Sequence, residues 1–225
     1  MPKIDELNDN QIDAIQESGN IGCSHAATAV SHMIGRSVDI SVPTLQIKEI
    51  SELESILVKI FGDSEKIVGV YLELTDKFKG SILFLFPLEG ALNLSDVLVG
   101  QEPGTAKELD SMAESAITEV GNIVVSAYTD ALASLLQDEV MLSPPTFSYD
   151  MPKGVVDRVQ STLGEDTNHA LIFDIKFSGE GDLFKSYFIL LPSPKSLDVL
   201  IEKLIPNVSE GTDEIIKEYA KSLAQ

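Results

Sequence analysis

The segment DAIQESGNIG at residues 13–22 returns as SAITEVGNIV at residues 115–124. An internal repeat constrains a fold more than any other sequence feature, because each copy is a structural unit that buries its apolar face against its neighbour. The positions kept are Asp13/Ser115, Glu17/Glu119, Gly19/Gly121, Asn20/Asn122, Ile21/Ile123 and Pro43/Pro145, with the same interval from Asn to Pro in both copies. Later, KGSILFLFP (79–87) followed by LEGALNLSDVLVG matches KSYFILLP (185–192) followed by SPKSLDVLIEKLI. The chain therefore reads as one unit used twice, about 1–100 and 105–206, joined at QEPGT (101–105) into a single domain. Residues 207–225 have no counterpart and read as an added C-terminal helix, opened by Ser, Thr and Asp capping candidates.

Each unit has the same coarse order. A helix carrying Glu-x-Gly-Asn (about 4–19 and 107–122) is followed or continued by a small-residue-rich helix (24–34 and 124–136). Pro43 and Pro145 then open extended segments, since a fixed φ and a missing N–H suit the mouth of a strand and not its middle. Residues 67–75 and 80–87, matched by 170–178 and 186–192, are rich in β-branched and aromatic side chains and read as strands. DKFKG and GEGDLFK look like hairpin connections, which makes each pair antiparallel. ALNLSDVLVG and KSLDVLIEKLI read as amphipathic helices. The expected fold is α+β: an antiparallel sheet contributed by both halves, two long motif-bearing helices packed outside it, and a pseudo-twofold axis relating the copies.

On a helix, positions i, i+4 and i+7 share one face. Asp13, Glu17 and Asn20 form such a stripe, and so do Ser115, Glu119 and Asn122. A stripe at this period normally carries the apolar contacts of a helix. Here it is polar, while Ile117, Val120 and Val124 take another side. Gly19 and Gly121 each precede the Asn, and a glycine inside a helix costs about 1 kcal/mol relative to alanine. Its presence in both copies implies that something approaches the backbone closely.

Charge and composition narrow the function classes. The formal net charge of −20 repels phosphate backbones and anionic lipid, which speaks against nucleic-acid partners. No stretch approaches the roughly 18 consecutive apolar residues of a membrane helix, and the N-terminus lacks the apolar core of a secretory signal. Cys23 is the single cysteine, so no internal disulfide forms and a cytoplasmic setting is expected. Cys23, His25 and His32 match no closed zinc pattern, and no phosphate-binding glycine loop is present.

The pattern Asp/Ser-x₃-Glu-x₂-Asn followed at a distance by Pro, together with the stretch NIGCSHAATAVSHMIGRSVDISVP, resembles the CheC/CheX/FliY family of chemotaxis phosphatases. Cys23-Ser24 departs from the family's usual Ala-Gly at those positions. The resemblance covers nearly the whole chain and implies a phosphatase that removes the phosphoryl group from phosphorylated CheY. It implies water positioning by Asn20 and Asn122, and pairing of Glu17 and Glu119 with the regulator's active-site Lys. Asp13 and Ser115 would support these pairs from one turn earlier. No cofactor of the chain's own is expected, because the regulator supplies the Mg²⁺. The resemblance also implies the receptor deamidase CheD as a partner, and a regulator that acts chiefly by binding CheD is the competing reading. A structural part of the flagellar switch is the third, and it is disfavoured because nothing after residue 206 is long enough for a switch domain.

Overall fold

The computed structural model describes residues 8–41, 44–162, 168–179 and 181–204. The first copy runs α1 (Asp9–Ile34), β1 (Asp39–Ile40), β2 (Thr44–Glu49), α2 (Leu53–Phe61), β3 (Ile67–Thr75), β4 (Gly80–Pro87) and α3 (Leu88–Leu98). The second repeats that succession as α4 (Ser111–Leu136), β5 (Met141–Leu142), β6 (Thr146–Asp150), α5 (Pro152–Thr162), β7 (His169–Gly179), β8 (Gly181–Pro192) and α6 (Pro194–Leu204).

The motif helices α1 and α4 are each 26 residues long and unbroken. No proline interrupts them, and the small residues past the motif continue the same helix instead of starting another. The start of α4 falls at Ser111 and not near 107. Asp110 stops the helix from extending backwards: its carboxylate accepts from the Ala113 amide at 2.8 Å, satisfying a donor that has no partner within the helix. At the other end Gln137 adopts a left-handed conformation (φ 52°) and its N–H returns to the Ala133 carbonyl.

Among the described residues all strand pairings are antiparallel, and they build one eight-stranded sheet in the order β1-β7-β8-β4-β3-β5, with β2 also on β7 and β6 also on β3. β4 and β8 meet at its centre, from Gly80↔Pro192 to Leu85↔Tyr187. The outer pairings cross between copies. β2 lies on β7 from Thr44↔Asp174 to Glu49↔His169, and β6 lies on β3 from Ile67↔Asp150 to Tyr71↔Thr146. Each copy thus donates its first strands to the sheet half of the other.

Pro144 and Pro145 sit where β5 gives way to β6 along β3. Having no N–H, neither can donate to the ladder. Ser143 carries the pairing past the gap: its N–H donates to the Glu73 carbonyl at 2.9 Å, and its Oγ accepts from the Glu73 N–H at 2.9 Å. Pro145 therefore opens β6 as expected, whereas Pro43 lies outside the described residues.

The sheet is covered on both faces. Val68, Val70, Leu72, Phe84, Phe86, Phe173 and Phe188 pack with α1, α4, α3 and α6 into the larger core. Ile67, Leu83, Leu85, Ile172, Ile189 and Leu191 pack with α2 and α5 into a second one. Burial from both sides explains why β4 reads as an uninterrupted apolar run.

Helices α2 and α5 were not anticipated, although Leu53 and Leu57, like Val155 and Val159, have helical spacing. The β7–β8 hairpin is also longer than expected. Its ladder runs on to Gly179↔Gly181 past a register shift at Phe177/Ser178, so most of GEGDLFK is strand. The expected C-terminal helix at 207–225 lies outside the described residues.

Candidate functional site

The two motif helices lie side by side on the sheet, packed against each other along much of their length. Their inner sides are apolar or small: Ile15, Gly19, Gly22, Cys23, Ala26 and Val30 on α1; Ile117, Val120, Gly121, Val124, Tyr128 and Leu132 on α4. The motif glycines mark where helix backbone meets sheet. A Cβ on Gly19 would collide with the Phe173 ring, and one on Gly121 would lie 2.6 Å from the Val70 Cβ. Phe173 is in β7 and Val70 in β3, so each motif helix rests on a strand of the other copy.

Seating these inner faces turns the polar stripes outward. Asp13 and Glu17 are exposed and Asn20 is half-buried. The Asn20 Nδ2 donates to Glu17 Oε2 at 3.0 Å. A carboxylate can only accept, so this contact fixes which end of the amide is nitrogen. It leaves Asn20 Oδ1 shielded, with no protein donor. In the second copy Ser115 and Glu119 are exposed and Asn122 is half-buried. The Ser115 hydroxyl donates to the Ser111 carbonyl at 2.9 Å, within its own helix. Among the described residues no hydrogen bond joins Glu119 to Asn122. The first pair is closed and the second is open.

The surface these stripes share is acidic. Asp9, Asp13, Glu17, Glu114, Glu119 and Asp130 lie on α1 and α4, and neither helix contains a lysine or arginine. Such a face attracts a cation and repels a free anion. Cys23 is buried, and burial pushes its thiol up to about 12, which makes it a packing residue and not a nucleophile. His25 and His32 are exposed. Among the described residues no group of three His, Cys, Asp or Glu side chains is placed to hold a metal ion. A concavity lined by Tyr71, Ser81, Ser143 and Arg158 opens on the opposite face of the sheet and includes no motif residue.

One feature of the helix pair was not read from the sequence. Gly22 faces Tyr128 so closely that a Cβ there would collide with the ring. Their counterparts in the repeat are Val124 and Ala26, both buried. Glycine facing tyrosine thus answers valine and alanine at the equivalent positions of the repeat. Aligning the two copies would have revealed that exchange.

Fold and site together define a class: a duplicated α+β protein that presents two outward Glu/Asn stripes on paired, acidic helices. The CheC-like family model matches the chain twice, at residues 11–47 and 112–149, each match covering a motif helix and the strand after it. The chain is 28% identical over 203 residues to the CheY-P phosphatase CheC of Bacillus subtilis, covering 88% of this chain and 95% of that one. It is 26% identical over 146 residues to the flagellar motor switch phosphatase FliY of the same organism, covering 64% of this chain and 37% of that protein. Among solved structures, Thermotoga maritima FliY superposes with a TM-score of 0.72 at 24% identity, over 88% of this chain and 97% of that one. The chain is thus similar to the CheC-like family in both of its copies.

Proposed function

We propose that this chain accelerates hydrolysis of the aspartyl phosphate of phosphorylated CheY. The relative named as a CheY-P phosphatase supports the substrate class, and the flagellar motor switch phosphatase supports the reaction type. The observation that carries the mechanism is the Glu17–Asn20 pair, a carboxamide held at its nitrogen end, whose shielded oxygen has no protein donor and must be uncovered as the regulator docks. An acyl phosphate is already activated, and the Mg²⁺ bound by the regulator neutralises its phosphoryl oxygens. What the chain must add is a water held in line with the phosphorus–oxygen bond to be broken. At each site one carboxamide, that of Asn20 or that of Asn122, orients that water. The water oxygen bonds to phosphorus, the regulator's aspartate leaves as a carboxylate, and the water's protons remain with phosphate and solvent. Asparagine is neutral, so it positions the water and does not act as a base.

Glu17 and Glu119 pair with the regulator's active-site lysine. Asp13 adds charge one turn earlier, while the Ser115 hydroxyl is spent on the Ser111 carbonyl. The single cysteine supports a cytoplasmic setting for the reaction. The deamidase CheD is a second partner implied by the family resemblance, and co-elution of the two proteins tests it.

Decay of phosphorylated CheY is measured with the wild-type chain, Asn20→Ala, Asn122→Ala and the double variant. The double variant is expected to lose about 100-fold or more of the acceleration, about 2.7 kcal/mol, with its fold intact. Full activity in that variant would remove the proposed mechanism.

A further inference from the structure

We infer that the two stripes are alternative docking points for a single partner molecule, so that the chain binds its phosphorylated regulator one to one. The inference rests on the proposed function and concerns how two sites share one surface.

The contact of Gly22 with Tyr128 fixes the geometry. The repeat maps Gly22 onto Val124 and Tyr128 onto Ala26, so the symmetric contact is Val124 with Ala26. Residue numbers rise along α1 as they fall along α4 across these contacts, so the helices are antiparallel. The pseudo-twofold axis passes midway, beside Ser24 and Ser126. Asn20 and Asn122 each precede that point by one turn, in opposite directions.

At about 1.5 Å rise per residue the two asparagines are about 12 Å apart along the axes, and Glu17 and Glu119 about 21 Å. Packed helices lie about 8–10 Å apart sideways. Both stripes face outward from the same helix layer, because the opposite sides of α1 and α4 are spent on each other and on β7 and β3. The sites are thus separated by about 15 Å at the asparagines and about 23 Å at the glutamates.

A partner needs more room than that. A standard interface covers about 800 Å² per partner, a disc of about 16 Å radius. Two such discs overlap whether centred on the asparagines or on the glutamates. The bodies above them overlap as well, since a domain of about 100 residues has a radius of gyration of about 13 Å. A second regulator cannot seat while the first is bound.

The test titrates the wild-type chain with CheY carrying beryllofluoride on its aspartate as the phosphoryl mimic. Complex mass is read by sedimentation and stoichiometry by calorimetry. The expected result is one regulator per chain, unchanged in Glu17→Arg and in Glu119→Arg and lost when both are changed. Two regulators per wild-type chain and one per single variant would overturn the inference. Absence of binding to wild type would defeat the proposed function itself, a distinct result.

A kinetic arm uses Asn20→Ala, in which docking at the first stripe is unproductive yet still blocks the second. Adding Glu17→Arg should then raise turnover at saturating substrate, by up to about twofold if the stripes dock equally well. Unchanged turnover would mean the stripes act independently.

Discussion

The two motif glycines occupy equivalent positions but differ in what they meet, and the difference has a measurable sign. Helix propensity alone favours Gly→Ala by about 1 kcal/mol. Against it stands overpacking, which costs about 1–3 kcal/mol in a close-packed core. At Gly121 the obstacle is Val70, whose branched Cβ is carried directly on the β3 backbone and has nowhere to swing. At Gly19 it is the edge of the Phe173 ring, which can tilt. Urea unfolding is therefore expected to show Gly121→Ala destabilised by about 2 kcal/mol and Gly19→Ala by less than half of that. Equal losses would mean that the strand backbone yields as readily as a ring. At this scale the sequence was informative, because a helix-breaking residue kept in both copies is a local cost with a tertiary cause. The asymmetry between the closed Glu17–Asn20 pair and the open Glu119–Asn122 pair was not legible. It depends on rotamers set by neighbours that differ between the copies.

Among the elements, the joint between the copies is held by a single buried carboxylate. Asp96, near the end of α3, is 1% exposed. Its Oδ2 accepts from the Thr105 N–H at 2.8 Å and its Oδ1 from the Ala106 N–H at 2.9 Å. Its backbone carbonyl takes the Gln101 N–H at 2.8 Å. The turn that delivers the chain to α4 is thereby tied to the end of α3. In Asp96→Asn one amide oxygen must serve both donors, and the amide nitrogen faces an N–H. A loss of about 1–3 kcal/mol in chemical unfolding is expected, and a loss under 0.5 kcal/mol would assign the joint to other contacts. The limits of the repeat put this joint at 101–105, but nothing in the sequence gave a role to Asp96. Strands β3 and β4 were legible to the residue, since they are long and apolar and end at turn signals. Helices α2 and α5 were missed because each is short and follows directly on a strand. Their apolar faces are short, Leu53, Ile56, Leu57 and Ile60 on α2 and Val155, Val156 and Val159 on α5, a periodicity too brief to stand out before the sheet's second face is known to need cover.

At the scale of the whole molecule, charge and topology make separate demands. A net charge of −20, with no cation on either motif helix, should steer a partner with a basic face. Raising the salt from about 0.05 to about 0.3 M shortens the screening length from about 14 to about 6 Å. On that basis kcat/KM for phosphorylated CheY should fall several-fold while kcat stays nearly constant, and a flat kcat/KM would mean the acidity does not guide docking. Topology makes the stronger demand. β2 is hydrogen-bonded to β7 and β6 to β3, and each motif helix is seated on a strand of the other copy. Severing the chain inside 101–105 would leave each half with an unpaired sheet edge at β3 or β7, an unpaired central strand, and a long helix without its bed. Neither half can satisfy those strand N–H and carbonyl groups internally, and a buried group left unpaired costs about 1–3 kcal/mol. Produced separately, residues 1–102 and 103–225 are therefore expected to be unfolded or to self-associate, each using a second copy of itself in place of the missing half. Mixed after denaturation, they should recover one heterodimer with the circular dichroism of the intact chain. A half that sediments as a folded monomer would show that the exchanged strands are dispensable, and that the duplication joined two units already able to stand alone.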